Sequence, residues 1–296
     1  MLVALEMVSS TLLHFGLAFI FLYVTSCASM RTVHTEPSKI SITFDKTPVK
    51  LNEKTFQVIL ENSTSGLIFC GGILLKNYYV LTAAECVVNR QADTITAYTG
   101  LKEIDVRELH NNKHSIRKII MHESYDQHNL WRNDIALLKL SPLKIYRNAS
   151  RNIFAPFTEA VLPLKSKLDK VSKRNHLRAK VFGFGIKKEN TPPSSIHLVK
   201  SFTYVIDWEY CRQLYKKIHY SISDSHICAY DPYDVLLNTR VSDVGSSLIV
   251  SRNVTLGVAL STRGGYLTKN TYFPILFTNI SLYRDWIEHV ISRTDY

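Results

Sequence analysis

Apolar residues in this chain come in runs of strand length, and almost never in longer ones. TFQVIL (55–60), GGILLKNYYVLTA (71–83), TITAYTG (94–100), RKIIMH (117–122), DIALLKL (134–140), AKVFGFG (179–185), SSLIV (246–250) and TLGVAL (255–260) are rich in Val, Ile, Leu, Tyr and Thr, with polar or Gly-containing turns between them. Many short strands separated by turn signals point to an all-β barrel or sandwich. The C-terminal SLYRDWIEHVIS (281–292) breaks the pattern, because Leu282, Trp286, Ile287, Val290 and Ile291 recur at helical spacing. The expectation is a β-rich fold closed by one terminal helix. With 296 residues, 46% hydrophobic and 21% charged, the chain suffices for one large or two small domains and argues against wholesale disorder.

One apolar run has a different character. Thr11–Val24 reads TLLHFGLAFIFLYV and is followed by the small residues Ser26, Cys27, Ala28 and Ser29. This is the pattern of a secretory signal peptide cut near Ser29. Two features depart from it: no Lys or Arg precedes the run, and Glu6 does, an acid that initiation at Met7 would remove. An uncleaved signal anchor is the alternative, but the run is short for a membrane span. No other segment is long and apolar enough to cross a bilayer. The expected organisation is a signal peptide over 1–29, a tail or short pro-segment over 30–39, and the folded body over 40–296 in a secreted protein.

Secretion gives other features meaning. Without residues 1–29 the chain keeps 36 basic residues and 24 acidic ones, a formal +12, which favours acidic partners such as sulfated glycans. No basic-aromatic motif of a nucleic-acid module is present. Outside the signal, Cys70, Cys86, Cys211 and Cys228 form an even set that permits three pairings, and the close spacings suggest two local bridges. No Cys-x-x-Cys or paired His supports a metal site, and no cofactor is implied. Asn62, Asn148, Asn253 and Asn279 each begin an N-glycosylation sequon.

Four segments together resemble the trypsin/chymotrypsin-like serine proteases. CGGILLKNYYVLTAAEC (70–86) is similar to that family's first disulfide loop, and RNDIALLKL (132–140) to its aspartate-bearing strand. EYCRQLY (209–215) with ISDSHICA (222–229) resembles its second disulfide loop, and FPILFTNISLYRDWI (273–287) its closing strand and helix. The resemblance implies two six-stranded antiparallel β-barrels, about 40–155 and 156–296, with the active site in the cleft between them.

Catalysis in that family needs a serine nucleophile, a histidine base and a buried aspartate that orients the histidine. By resemblance the aspartate is Asp134, but the histidine position holds Glu85 and the serine position holds Val244, in SDVGSSLIV (242–250). Valine offers no nucleophilic atom. Ser242 and Ser246 each lie two residues away, roughly 6 Å along an extended chain. A carboxylate with an ordinary pKa near 4.3 is a weak base at neutral pH. The pocket positions Asn238 and Ile275 depart from the family pattern, as do Ser242 at the oxyanion position and Arg240 where a cysteine would stand. Asp243 retains the residue that pairs with the new amino terminus after activation, and Lys39-Ile40 is a candidate cleavage point. The expectation is a protease homologue without proteolytic activity that binds an extracellular protein of a protease cascade. The alternatives are a hydrolase using Glu85 and Asp134, or a basic matrix or glycan binder.

Overall fold

The computed structural model describes residues 47–48, 55–101, 103–104, 112–126, 132–141, 158–163, 177–184, 196–230, 243–250, 254–260 and 274–293. The expected signal peptide, the tail and Lys39-Ile40 lie outside these residues. Two closed antiparallel β-barrels form the body. The first comprises β1 (Gln57–Asn62), β2 (Ile68–Leu75), β3 (Tyr79–Thr82), β4 (Ile95–Thr99), β5 (Lys113–Met121) and β6 (Ala136–Leu140), paired in the order β1-β2-β3-β6-β5-β4 and closed by β4 on β1. The second comprises β7 (Leu177–Gly183), β8 (Val199–Val205), β9 (His226–Tyr230), β10 (Ser247–Ile249), β11 (Thr255–Ala259) and β12 (Ile275–Asn279). Its order is β7-β8-β9-β12-β11-β10, closed by β10 on β7. The two barrels share one strand order, and closure leaves neither with free edges.

The long run at 71–83 is two strands. Tyr78 adopts φ +60° in a single 3-10 turn at Lys76–Tyr78 that reverses β2 into β3. On β1 the alternation serves two cores. Val58 and Leu60 face a large apolar cluster that runs from the first barrel to the terminal helix, while Ile59 packs with Tyr98, Leu101, Phe184 and Leu198.

The helices differ from expectation in two ways. A helix absent from the apolar pattern, α1 (Trp208–Lys216), precedes the terminal α2 (Ile280–Arg293). It escapes that pattern because it buries only Cys211 and Tyr215, two positions four apart. Its determinants are local and covalent instead: Asp207 Oδ1 accepts the Tyr210 N–H at 2.8 Å as an N-cap, and a disulfide ties Cys211 to Cys228 on β9. In α2 the buried face runs through Tyr283, Ile287, Val290 and Ile291. Leu282, expected on that face, is 49% exposed. The face passes through its neighbour because positions 283, 287 and 291 are successive i, i+4 neighbours.

Both disulfides are local. Cys70–Cys86 joins β2 to the turn after β3, and Cys211–Cys228 joins α1 to β9, with Cα–Cα separations of 6.1 and 6.3 Å. Among the described residues no helix is long and apolar enough to cross a membrane.

Candidate functional site

The strand β3 ends at Thr82, and the chain enters one 3-10 turn at Ala84–Cys86. The Cys70–Cys86 bridge fixes the end of that turn, so Glu85 is held between a strand and a disulfide. From the opposite side, Asn133 adopts φ +55° and directs Asp134 inward just ahead of β6. Asp134 is fully buried. Its Oδ1 accepts the Glu85 N–H at 2.8 Å, and its carbonyl accepts the Thr278 hydroxyl of β12 at 2.8 Å. The aspartate thus touches both barrels. Its Oδ2 is buried and has no hydrogen-bond partner among the described residues.

That environment sets the charge. Burial pushes the Asp134 carboxyl up to about 7, against the opposing pull of the Glu85 and Ala84 backbone N–H groups. Burial also raises the phenol of Tyr125, with the negative charges of Asp134 and Glu85 adding to it. Two carboxyl groups and a phenol therefore share one corner of the barrel junction. Among the described residues no group of three His, Cys, Asp or Glu is placed to hold a metal ion.

The loop 243–246 docks against this corner from the second barrel. The Gly71 N–H of β2 donates to Val244 O at 2.7 Å, and the Gly245 N–H donates to Ala259 O at 2.8 Å. Gly245 has φ +85°, and a Cβ there would run into the Gly71 carbonyl and the Thr82 hydroxyl. Only glycine fits both the backbone conformation and the contact. Val244 is 6% exposed. The hydroxyls around it are committed. Ser246 Oγ accepts from Gln57 Nε2 at 3.0 Å, Ser247 Oγ donates to Gln57 Oε1 at 3.3 Å, and Thr82 Oγ1 donates to Gly71 O at 2.8 Å. All three side chains are buried.

The structure thus brings Glu85 and Asp134 together and seats Val244 on Gly71, beside Thr82, three residues ahead of Glu85. Asp243 packs on β7: a Cβ built on Gly183 would fall 2.5 Å from its Oδ1. Ile275 lies in the apolar interior of the second barrel with Val205, Ala229 and Phe277. Asn238, Ser242, Arg240, Asn148 and Asn253 lie outside the described residues. Tyr125, Thr82, Thr278 and Gln57 were missed in the sequence. Thr82 and Thr278 are neighbours of recognised motifs, so proximity was an available signal. Gln57 is 189 residues from Ser246, and nothing local marks it.

Two six-stranded antiparallel barrels with a buried aspartate at their junction and a glycine-bearing loop docked across it define a chymotrypsin-like protein. The chain belongs to the Trypsin family, whose model matches residues 44–287. It is 28% identical over 251 residues to Mast cell protease 2 of Meriones unguiculatus, covering 83% of this chain and 90% of that protein. It is 26% identical to CLIP domain-containing serine protease B15 of Anopheles gambiae, covering 77% of this chain and 62% of that longer relative. Among solved structures, a scabies mite inactivated protease paralogue, S-I1, superposes with a TM-score of 0.66 at 23% identity, over 84% of this chain and 99% of that one.

Proposed function

We propose that this chain is a secreted serine-protease homologue without proteolytic activity, acting by binding an extracellular protein such as a protease, inhibitor or substrate of a proteolytic cascade. One observation carries the reading: the residue that by resemblance takes the nucleophile position is Val244, and the described hydroxyls of the docked loop and of Thr82 are buried and engaged with Gln57 and Gly71. Covalent acyl transfer needs an atom that can attack, and the valine side chain offers none. Glu85 compounds this, since by resemblance it takes the base position and its backbone N–H is bound to the Asp134 carboxyl group. That a chain described as an inactivated protease paralogue adopts the same fold supports the compatibility of the fold with lost chemistry. Recombinant protein, with and without cleavage after Lys39, is expected not to label with serine-directed phosphonates and not to hydrolyse peptide esters. Stoichiometric labelling overturns the reading.

A subsidiary part of the proposal concerns acidic glycans. On the outer side of the second barrel the exposed Arg178 and Lys180 of β7 lie over the Phe202 ring of β8, 3.8 and 5.7 Å from its centroid. Heparin retention that ignores salt, or that is unchanged in the Arg178→Ser/Lys180→Ser double variant, refutes this role for the pair.

A further inference from the structure

We propose that Asn62 is the acceptor of an N-linked glycan in the native protein and that the equally well-formed sequon at Asn279 stays unmodified. This rests on passage of the chain through the secretory route. The sequence alone ranks the two sites equally, as Asn62-Ser-Thr and Asn279-Ile-Ser; the fold separates them.

Asn62 ends β1, where the chain turns back into β2. Ser63, Thr64, Ser65, Gly66 and Leu67 are all exposed. The Asn62 Oδ1 accepts the backbone N–H groups of Thr64 and Ser65 at 2.9 and 3.0 Å, an Asx turn that fixes the carboxamide by its oxygen. Its Nδ2 makes no hydrogen bond among the described residues. The reacting atom is therefore turned away from the backbone, and the hydroxyl of the sequon stands in the same open loop. A glycan on that nitrogen leaves the oxygen's two hydrogen bonds and the β1–β2 pairing intact.

Asn279 has the opposite surroundings. It is 8% exposed, at the end of β12 where α2 begins. Its Oδ1 accepts the Ser281 N–H at 3.2 Å and the Ser281 hydroxyl at 2.6 Å, and its Nδ2 donates to Asp224 O at 3.3 Å. Both the asparagine and the sequon serine are thus consumed in starting the terminal helix, and Ser281 is itself buried. A sugar on Nδ2 would displace the Asp224 contact of a residue that is almost wholly buried. Folding of the chain's end and modification of Asn279 exclude one another.

The step is a transfer from a lipid diphosphate-linked oligosaccharide. Asn62 Nδ2 bonds to the anomeric carbon, the bond from that carbon to the diphosphate oxygen breaks, the lipid diphosphate leaves, and the amide gives up one proton. No oxidant or reductant enters.

The test expresses the full chain in a eukaryotic secretory host, once with its own N-terminus and once behind a heterologous cleavable signal. Secreted, folded protein is read by glycopeptide mass spectrometry and by mobility before and after enzymatic deglycosylation. Glycan is expected on Asn62 and absent from Asn279. Thr64→Ala, which removes the sequon and leaves the Asx turn of Asn62 in place, is expected to remove one glycan's mobility step. Ser281→Thr, which keeps the Asn279 sequon, is expected to add none. A bare Asn62 in secreted protein, or a glycan on Asn279 in the folded fraction, overturns the assignment. The two versions of the N-terminus separate the premises: glycosylated protein from the heterologous signal alone refutes secretion by the natural N-terminus and leaves the acceptor assignment standing.

Discussion

Asp134→Asn tests the reading of the barrel junction most directly. In the wild-type fold the carboxyl is pushed up to about 7 from its ordinary 3.8, so between those values the unfolded chain is ionised there while the folded chain holds the proton. Stability then falls as pH rises across that window, by about 1.4 kcal/mol per pH unit for one such group. The contribution is fully present below the unfolded value and lost as pH passes the folded one. A rise of this size corresponds to a ceiling of roughly 4 kcal/mol at pH 8. Asparagine carries no charge to bury, and its Oδ1 can still accept the Glu85 N–H. Its amide nitrogen would, however, sit where Oδ2 has no partner, at a cost of about 1–3 kcal/mol. The expected net result is a gain of about 1–3 kcal/mol at pH 8 that shrinks or reverses at pH 4.5. For a domain of this size that is roughly 2–12 °C in Tm at pH 8. His114 tilts the profile the other way, because burial lowers its pKa from 6.5 and its protonation destabilises the fold as pH falls. Comparing variant with wild type at each pH cancels that trend. Thermal or urea unfolding from pH 4.5 to 8 supplies the curves. A variant destabilised equally at both ends refutes the account of Asp134 as a carboxyl kept neutral by burial.

Gly245→Ala is expected to lose about 3 kcal/mol or more, because it adds both left-handed strain and collision with Gly71 and Thr82. Gly66→Ala is the control: φ is +69° but nothing lies within 4 Å of the added Cβ, so strain alone should cost about 1 kcal/mol, and equal losses in urea titrations refute the contact argument. Replacing Cys211 and Cys228 together by serine opens a loop with sequence separation 17 and should cost about 3 kcal/mol, measured as a lowered Tm that reductant no longer changes at this site. Val244→Ser alone should not react with serine-directed phosphonates above background, because the residue that by resemblance takes the base position is Glu85 and not a histidine; rapid stoichiometric labelling refutes the assignment of Glu85 to the base position.

The sequence was most legible where the fold is local or periodic. Strand-length apolar runs located most of the barrel strands, and the Cys70–Cys86 and Cys211–Cys228 bridges follow their spacing. It was least legible where position depends on contacts distant along the chain. The helix α1 lacks a broad apolar stripe, so its Asp207 cap and disulfide carry information that periodicity does not. Strand β8 alternates Ser201, Thr203 and Val205 inward, and its hydroxyl-bearing interior hides it from an apolar count. At the site, the pairing of Glu85 with Asp134 was readable from motif order. The orphaned Oδ2, the Thr278 link to the second barrel and the Gln57 clasp on Ser246 and Ser247 were not, because each joins residues more than a hundred positions apart or depends on what is missing around an atom.

The contrast between Val244 and its neighbours bears on the proposed loss of protease chemistry. Gly245 is fixed by its backbone angle and by close approach to Gly71 and Thr82, and Ser246 and Ser247 by the buried Gln57 amide. Residue 244 contributes its carbonyl to the Gly71 N–H, and any side chain leaves that bond in place. The Val244 side chain is itself buried in the large apolar cluster, so substitution there costs packing but leaves the main-chain clasp in place, whereas changes one or two residues further on unseat the barrel junction. The same holds at residue 85, whose backbone N–H, and not its side chain, donates to Asp134. At both positions the hydrogen bond that ties the site together is made by a main-chain atom and does not depend on the side chain. Val244→Ala is therefore expected to cost about 1–2 kcal/mol through lost burial, less in the urea midpoint than the roughly 3 kcal/mol or more of Gly245→Ala, and Gln57→Ala is expected to cost about 2 kcal/mol or more through the hydroxyls it orphans. A Val244→Ala loss as large as that of Gly245→Ala refutes the view that the main-chain clasp, and not the side chain of residue 244, seats the loop.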